Sequence, residues 1–199
     1  MTAQPTVFVV DDDPAVRRSL SALIQTVFPR VETYGSALEF LAVYQPEQPG
    51  CLVLDVAMPG ITGLELQRKL NHQRNDLPVV FISAHGNVPM AVRAMEAGAV
   101  TFLEKPVKEE QLFTAIRKAL ELDAQNRRRK ARRKEVERRL ALLTAREREV
   151  LDLIVEGKYN KEIAVRLGVS IRTIEDRRAR VMKKMGADSV AELVRLAMS

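Results

Sequence analysis

The chain has 199 residues, with 32 Lys+Arg against 26 Asp+Glu and a formal net charge of +6. Its length suits one large domain or two small ones. The 46% apolar and 29% charged content excludes a disordered chain, and no run approaches the ~18 apolar residues of a membrane span.

The first part alternates short apolar runs with helical patterns. Thr6–Val10 reads as a buried strand. Over residues 14–28, Val16, Leu20, Leu23, Ile24 and Val27 recur at helical spacing. A short strand is expected at residues 31–34, then a helix over 36–43 opened by a capping box of Ser36 with Glu39. Residues 51–56 form the next apolar run, and Thr62 with Glu65 opens a helix reaching His72. Further strands are predicted at residues 79–83 and 100–103, around a helix capped by Asn87 and ended by Gly98. Continuously apolar strands alternating with helices predict a doubly wound, five-stranded parallel α/β sheet covered on both faces.

From residue 107 to 156 there is neither Gly nor Pro. Leu112, Ile116, Ala119 and Leu120 give one apolar face to a helix, which fades beyond Asp123 into a run of Arg and Lys. This run is either a long solvated helix or a flexible charged linker, and good helix formers favour the helix. Charge divides at the same place. Residues 1–123 hold 11 Lys+Arg and 15 Asp+Glu, a net of −4, whereas residues 124–199 hold 21 and 11, a net of +10. The organisation expected is a domain over 1–122, a basic helical linker over 123–141 and a small all-α domain over 142–199. The basic part is a candidate for nucleic-acid contact.

In that last part, capping boxes at Thr144/Glu147 and Ser189/Glu192 open two helices. Between them a short helix over 160–167, a turn at Gly168 and a longer helix from Ser170 to Met185 give a helix-turn-helix pattern. On the longer helix Ile171, Ile174, Val181 and Met185 fall on one face. Arg172, Thr173, Asp176, Arg177, Arg180, Lys183 and Lys184 lie largely off it. An apolar face would seat the helix, and a basic one would meet the major groove and phosphates of double-stranded DNA. Lys158, Asn160 and Lys161, at the start of the preceding helix, are placed for backbone contacts.

Asp11 and Asp12 follow the first strand, Asp55 stands in the third run, Ser83 ends the fourth, and Lys105 follows the fifth. In a parallel sheet these positions share the carboxyl edge, where ligands bind. Clustered carboxylates suit Mg2+, and a neighbouring ammonium suits a phosphoryl group. An alternative for Asp11 to Asp13 is capping of the helix at Pro14. Cys51 is the only cysteine, which excludes a disulfide framework and fits a reducing cytoplasm. No secretory leader or membrane association is expected.

The stretches V-V-D-D-D-P, D-V-A-M-P-G-I-T-G, I-S-A-H-G and F-L-E-K-P-V resemble the CheY-like receiver domain of bacterial two-component response regulators. L-T-A-R-E-R-E-V-L, N-K-E-I-A-V-R-L-G-V-S and R-T-I-E-D-R-R-A-R-V-M-K-K-M resemble the LuxR-type helix-turn-helix. Together they resemble the NarL/FixJ class of transcription factors, closest to the FixJ branch. The resemblance implies that Asp55 accepts a phosphoryl group from a sensor histidine kinase. It also implies that Asp12, Asp55 and the Ala57 carbonyl bind Mg2+, with Asp11 acting through water. Lys105 would bind the phosphoryl oxygens, and Ser83 and Phe102 would form a switch pair. The protein would then be a phosphorylation-dependent DNA-binding regulator and not an enzyme. It would form a homodimer when phosphorylated, through the surface around residues 88–97 and 100–103, with RNA polymerase a further partner. Arg177, preceded by Asp176, departs from the family's frequent His, so the bound sequence cannot be borrowed from relatives. A rival reading is a Mg2+-dependent phosphatase or phosphotransfer enzyme acting through Asp55. It would need a general acid or base, for which His85 is the one histidine near the rim.

Overall fold

In a computed structural model, residues 4–73, 75–84 and 88–198 are described. His85 and Asn87 lie outside them. The chain divides into two compact units, Met1–Arg127 and Arg128–Ser199.

The first unit is a five-stranded sheet in the order β2-β1-β3-β4-β5, formed by β1 (Thr6–Val10), β2 (Val31–Tyr34), β3 (Gly50–Asp55), β4 (Val79–Ser83) and β5 (Thr101–Glu104). Every pairing is parallel. The helices are α1 (Pro14–Gln25), α2 (Ala37–Val43), α3 (Gly63–His72), α4 (Val88–Glu96) and α5 (Glu109–Ala141). Alternate residues of each strand face opposite layers. Phe8, Val10, Leu52, Leu54 and Phe81 meet Phe40, Leu66, Leu70 and Ala94 of α2, α3 and α4. Val7, Val9, Cys51, Val53, Val80 and Ile82 meet Leu20 and Ile24 of α1 and Leu112, Ile116 and Ala119 of α5. Burial on both faces is why these strands read as unbroken apolar runs.

Several boundaries differ from expectation for identifiable reasons. Helix α1 stops at Gln25 and not at residue 28; the Thr26 hydroxyl donates to the Leu23 carbonyl at 2.7 Å, and Phe28 precedes Pro29, which disfavours helical backbone. At α2 the Ser36 hydroxyl accepts the Glu39 amide at 3.2 Å, but Glu39 reaches back to the Gly35 amide at 2.7 Å, one residue before the expected partner. The box of Thr62 with Glu65 is reciprocal.

Helix α5 runs unbroken through the basic stretch, which decides between helix and flexible linker. The first unit extends past residue 122, because Asp123 and Arg127 fasten α5 to the segment before β3. Buried Asp123 accepts the Gly50 amide at 3.0 Å. Arg127 Nε donates to both Asp123 oxygens at 2.9 and 2.8 Å, and its terminal nitrogens donate to the carbonyls of Pro46, Glu47 and Gln48.

The second unit packs α6 (Ala145–Val155), α7 (Asn160–Leu167), α8 (Ile171–Met185) and α9 (Val190–Ala197) around Val150, Leu151, Ile154, Ile163, Ile174, Val181, Met185 and Leu193, with Val136 added from α5. Gly168, at φ 64°, takes the left-handed conformation that turns α7 into α8.

Candidate functional site

The register places Val10 beside Leu54, so Asp11 emerges next to Asp55 at the centre of the carboxyl edge. Both are buried, at 0% and 5% exposure. Lys105, just past β5, extends its ammonium between them, 2.6 Å from Asp11 Oδ2 and 2.7 Å from Asp55 Oδ1. The other Asp55 oxygen accepts the Ala57 amide at 2.7 Å. Gly63, opening α3, lies so close to this strand end that a Cβ would stand 2.2 Å from the Asp55 carbonyl oxygen. Any side chain there would push the Asp55 backbone aside.

Asp12 is exposed beside this pair. Asp13 caps α1, its Oδ1 accepting the Ala15 amide at 2.7 Å and that of Val16 at 3.4 Å. The capping alternative therefore describes Asp13, while Asp11 turns inward. Arg17 shapes the loop by donating to the carbonyls of Asp11 and Asp12 at 2.7 and 3.0 Å. Sequence reasoning missed this role, although Arg17 stands one turn after Asp13 and so faces the loop. Ser83 is buried at the same edge, its carbonyl accepting the Lys105 amide at 2.8 Å. Phe102 sits across from Phe81 in register and stacks on it at 6.2 Å.

Burial pushes the Asp55 carboxyl above the ordinary range, by more than the Lys105 and Ala57 hydrogen bonds draw it down. Burial alone would depress Lys105, but its bonds to Asp11 and Asp55 outweigh that and raise it. At neutral pH the ammonium stays charged between its carboxylates. For a metal, Asp11, Asp12 and Asp55 offer hard carboxylate oxygens, the donor type that suits Mg2+. Among the described residues no three Asp, Glu, His or Cys side chains stand grouped as a ready-made metal site; Lys105 holds the position between Asp11 and Asp55.

In the helical unit, α8 turns Arg172, Asp176, Arg180 and Lys183 to solvent at spacings of four, four and three, a single stripe. Thr173 belongs to the helix cap, its amide donating to the Ser170 hydroxyl at 3.1 Å. Arg177 is half-buried. Ile171, expected on the seating face, is 46% exposed because it occupies the first helical position, ahead of the packed turn. Lys184 is a correction. Its sequence position suggests the DNA-facing side, yet its ammonium bonds buried Glu147 at 2.6 Å and the Leu142 carbonyl at 3.0 Å. One residue of helix rotation, ~100°, carries Lys184 inward and leaves Lys183 outward. Lys158, just before α7, and Lys161, on its first turn, are exposed. Asn160 is instead held from behind by Arg178, whose guanidinium donates to its Oδ1 at 2.6 Å. Arg178 went unrecognised because one more arginine in R-R-A-R carries no sign of its partner.

Two family models match the chain. The response regulator receiver domain covers residues 7–117, and the bacterial regulatory proteins of the luxR family cover residues 141–197. The chain is 46% identical over 192 residues to the transcriptional regulatory protein FixJ of Azorhizobium caulinodans, covering 96% of this chain and 91% of that protein. It is 41% identical over 190 residues to the response regulator protein TodT of Pseudomonas putida, covering 96% and 84%. Among solved structures, the response regulator StyR aligns with a TM-score of 0.89 at 45% identity, covering 98% of this chain and 99% of that one. Full-length FixJ from B. japonicum aligns at 0.60 and 40% identity, covering 99% and 97%.

Proposed function

Because the chain belongs to the two-component response regulators that join a receiver domain to a LuxR-type DNA-binding domain, we propose that Asp55 is the residue through which its phosphorylation-dependent control of transcription operates. The observation that carries this is the Lys105 ammonium bridging Asp11 and Asp55 at 2.6 and 2.7 Å. A buried carboxylate beside a fixed cation is a nucleophile with a ready countercharge for the phosphoryl group it would receive. The phosphorus–nitrogen bond of a phosphohistidine on a sensor kinase breaks, a bond to an Asp55 oxygen forms, and the released imidazole takes up a proton. The Ala57 amide orients the Asp55 carboxylate, and Lys105 neutralises the oxygens that arrive.

Receiver domains bind Mg2+ at the acidic phosphorylation site. In this chain Asp11, Asp12, Asp55 and the Ala57 carbonyl would hold it. Bound there, the ion supplies positive charge that offsets the phosphoryl oxygens. Ser83, on the same rim, and Phe102, one strand over, are assigned to sensing the modification. Phosphorylation would favour a homodimer through α4 and β5, a face on which Val88, Val92 and Met95 are exposed at 77%, 47% and 46%. Helix α8 then reads the major groove of double-stranded DNA, with Lys158 and Lys161 on the phosphates. The chain acts as a cytoplasmic regulator that works with RNA polymerase, and not as an enzyme in its own right. Among the described residues no helix is long and apolar enough to cross a membrane.

The test is intact mass after incubation with acetyl phosphate and Mg2+. Wild type gains one phosphoryl group and Asp55→Ala gains none. Equal labelling of both removes the assignment.

A further inference from the structure

The basic stretch of α5 is not one uniform run of charge. Arg127 is consumed by its bonds to Asp123 and three carbonyls. Arg133 pairs with Glu137 at 3.1 Å, and Arg138 and Arg139 both bond Glu135. Over residues 128–134 every cation, Arg128, Arg129, Lys130, Arg132, Arg133 and Lys134, is exposed. Among the described residues no carboxylate pairs with Arg128, Lys130, Arg132 or Lys134. Successive residues rotate by ~100°, so this charge encircles the helix and marks no single face.

We propose that residues 128–134 form a second DNA contact, a cationic collar that engages the duplex phosphate backbone in addition to the helix-turn-helix. The argument is one of charge density and placement. The four cations with no carboxylate partner among the described residues, Arg128, Lys130, Arg132 and Lys134, lie within seven residues at ~1.5 Å rise each, one positive charge on every ~2.6 Å of helix axis. Duplex DNA carries one negative charge per ~1.7 Å. The like charges at positions 128 and 132, and 130 and 134, are helix neighbours that repel one another. A polyanion relieves that repulsion. A protein surface with scattered carboxylates would have to be as densely and continuously acidic to do the same. The collar also opens the same compact unit, Arg128–Ser199, that contains α7 and α8, so it is delivered to whatever duplex they bind. The inference rests on the reading of that unit as DNA-binding, and it adds a contact that carries affinity without reading bases.

The experiment measures full-chain binding to a fluorescent random-sequence 40-base-pair duplex between 50 and 300 mM salt. Three proteins are compared: wild type, the collar variant Arg128→Gln/Lys130→Gln/Arg132→Gln/Lys134→Gln, and the helix-turn-helix variant Arg172→Ala/Arg180→Ala. Glutamine keeps helix propensity near that of Arg and Lys, and circular dichroism checks that helicity is kept. The collar variant is expected to bind at least ~10-fold more weakly at 100 mM salt. Its log–log salt slope should be smaller by ~2 to 4, about 0.9 for each phosphate that is no longer neutralised. If the helix-turn-helix variant weakens and the collar variant matches wild type in affinity and slope, the collar proposal falls alone. If wild type binds no duplex, the DNA-binding reading falls with it. If the collar variant binds duplex like wild type but loses self-association in sedimentation, the partner is a second copy of this chain and the proposal is overturned.

Discussion

Lys184 and Glu147 are bonded at 2.6 Å, tying the last turn of α8 to the first turn of α6. Glu147 is 4% exposed and also closes the capping box with Thr144, accepting its amide at 2.8 Å. The carboxylate thus has two duties, and the lysine keeps its buried charge paired.

Replacing Lys184 with Ala is expected to lower the stability of the helical unit by about 1–3 kcal/mol, the cost of leaving a buried charged group short of its partner. DNA binding by the folded fraction should keep its salt slope, because the ammonium faces inward. Hydrogen exchange of α6 and α8, together with salt-dependent binding, separates the two effects. A lower slope with unchanged protection would restore Lys184 to the DNA-facing surface.

Acid should weaken the same unit through Glu147. The Lys184 hydrogen bond first, and the Thr144 amide next, hold its carboxyl below the ordinary value of 4.5. A depressed folded pKa contributes stability that is full above the unfolded value and is lost as pH falls through the folded one. Stability of the helical unit should therefore decline below about pH 4.5 in wild type and more shallowly in Glu147→Gln. Amide exchange of α6 measured from pH 6 to 3 gives both curves, and superimposable curves would remove Glu147 as the cause.

Asp55 should act in the opposite sense. Burial raises its carboxyl above 3.8, so the folded receiver holds the proton more tightly than the unfolded chain. Its contribution is lost as pH rises from the unfolded value through the folded one. Asp55→Asn removes that loss, so denaturant unfolding of the receiver should show a flatter, higher stability between pH 4 and 7. A variant less stable than wild type at pH 7 would mean that the Lys105 bond outweighs desolvation.

Lys183 is expected to behave as the phosphate-facing residue of the last turns of α8. Lys183→Ala should reduce the salt slope by about one unit, as should Arg180→Ala, with unchanged thermal stability. The Lys183 and Lys184 variants form an internal control, since neighbouring lysines should fail in different assays.

Arg127→Ala should destabilise the receiver by about 3 kcal/mol by stranding buried Asp123. Faster exchange is expected at residues 46–50 and in the middle of α5. Unchanged exchange at the Gly50 amide would show that Asp123 alone holds that segment.

Periodicity, caps and turn residues made both units legible in the sequence, because those signals act between residues only a few positions apart. Asp11, Asp55 and Lys105 were legible as well. A parallel sheet sends every strand's carboxyl end to one edge, so strand ends far apart in sequence converge there. The helicity of the basic stretch was left open by the sequence and was decided by α5, whose Arg127 is anchored through Asp123 and loop carbonyls distant in the chain. The direction of individual charged side chains was likewise a tertiary matter. Lys183 and Lys184, or Arg177 and Arg178, are chemically equivalent as neighbours in sequence. Their roles separate only when α6 and α7 pack against α8 and bring Glu147 and Asn160 within bonding distance of one member of each pair. A charge on a helix surface is stabilised by whichever partner the fold brings to it, and that partner is specified by packing between helices and not by local spacing.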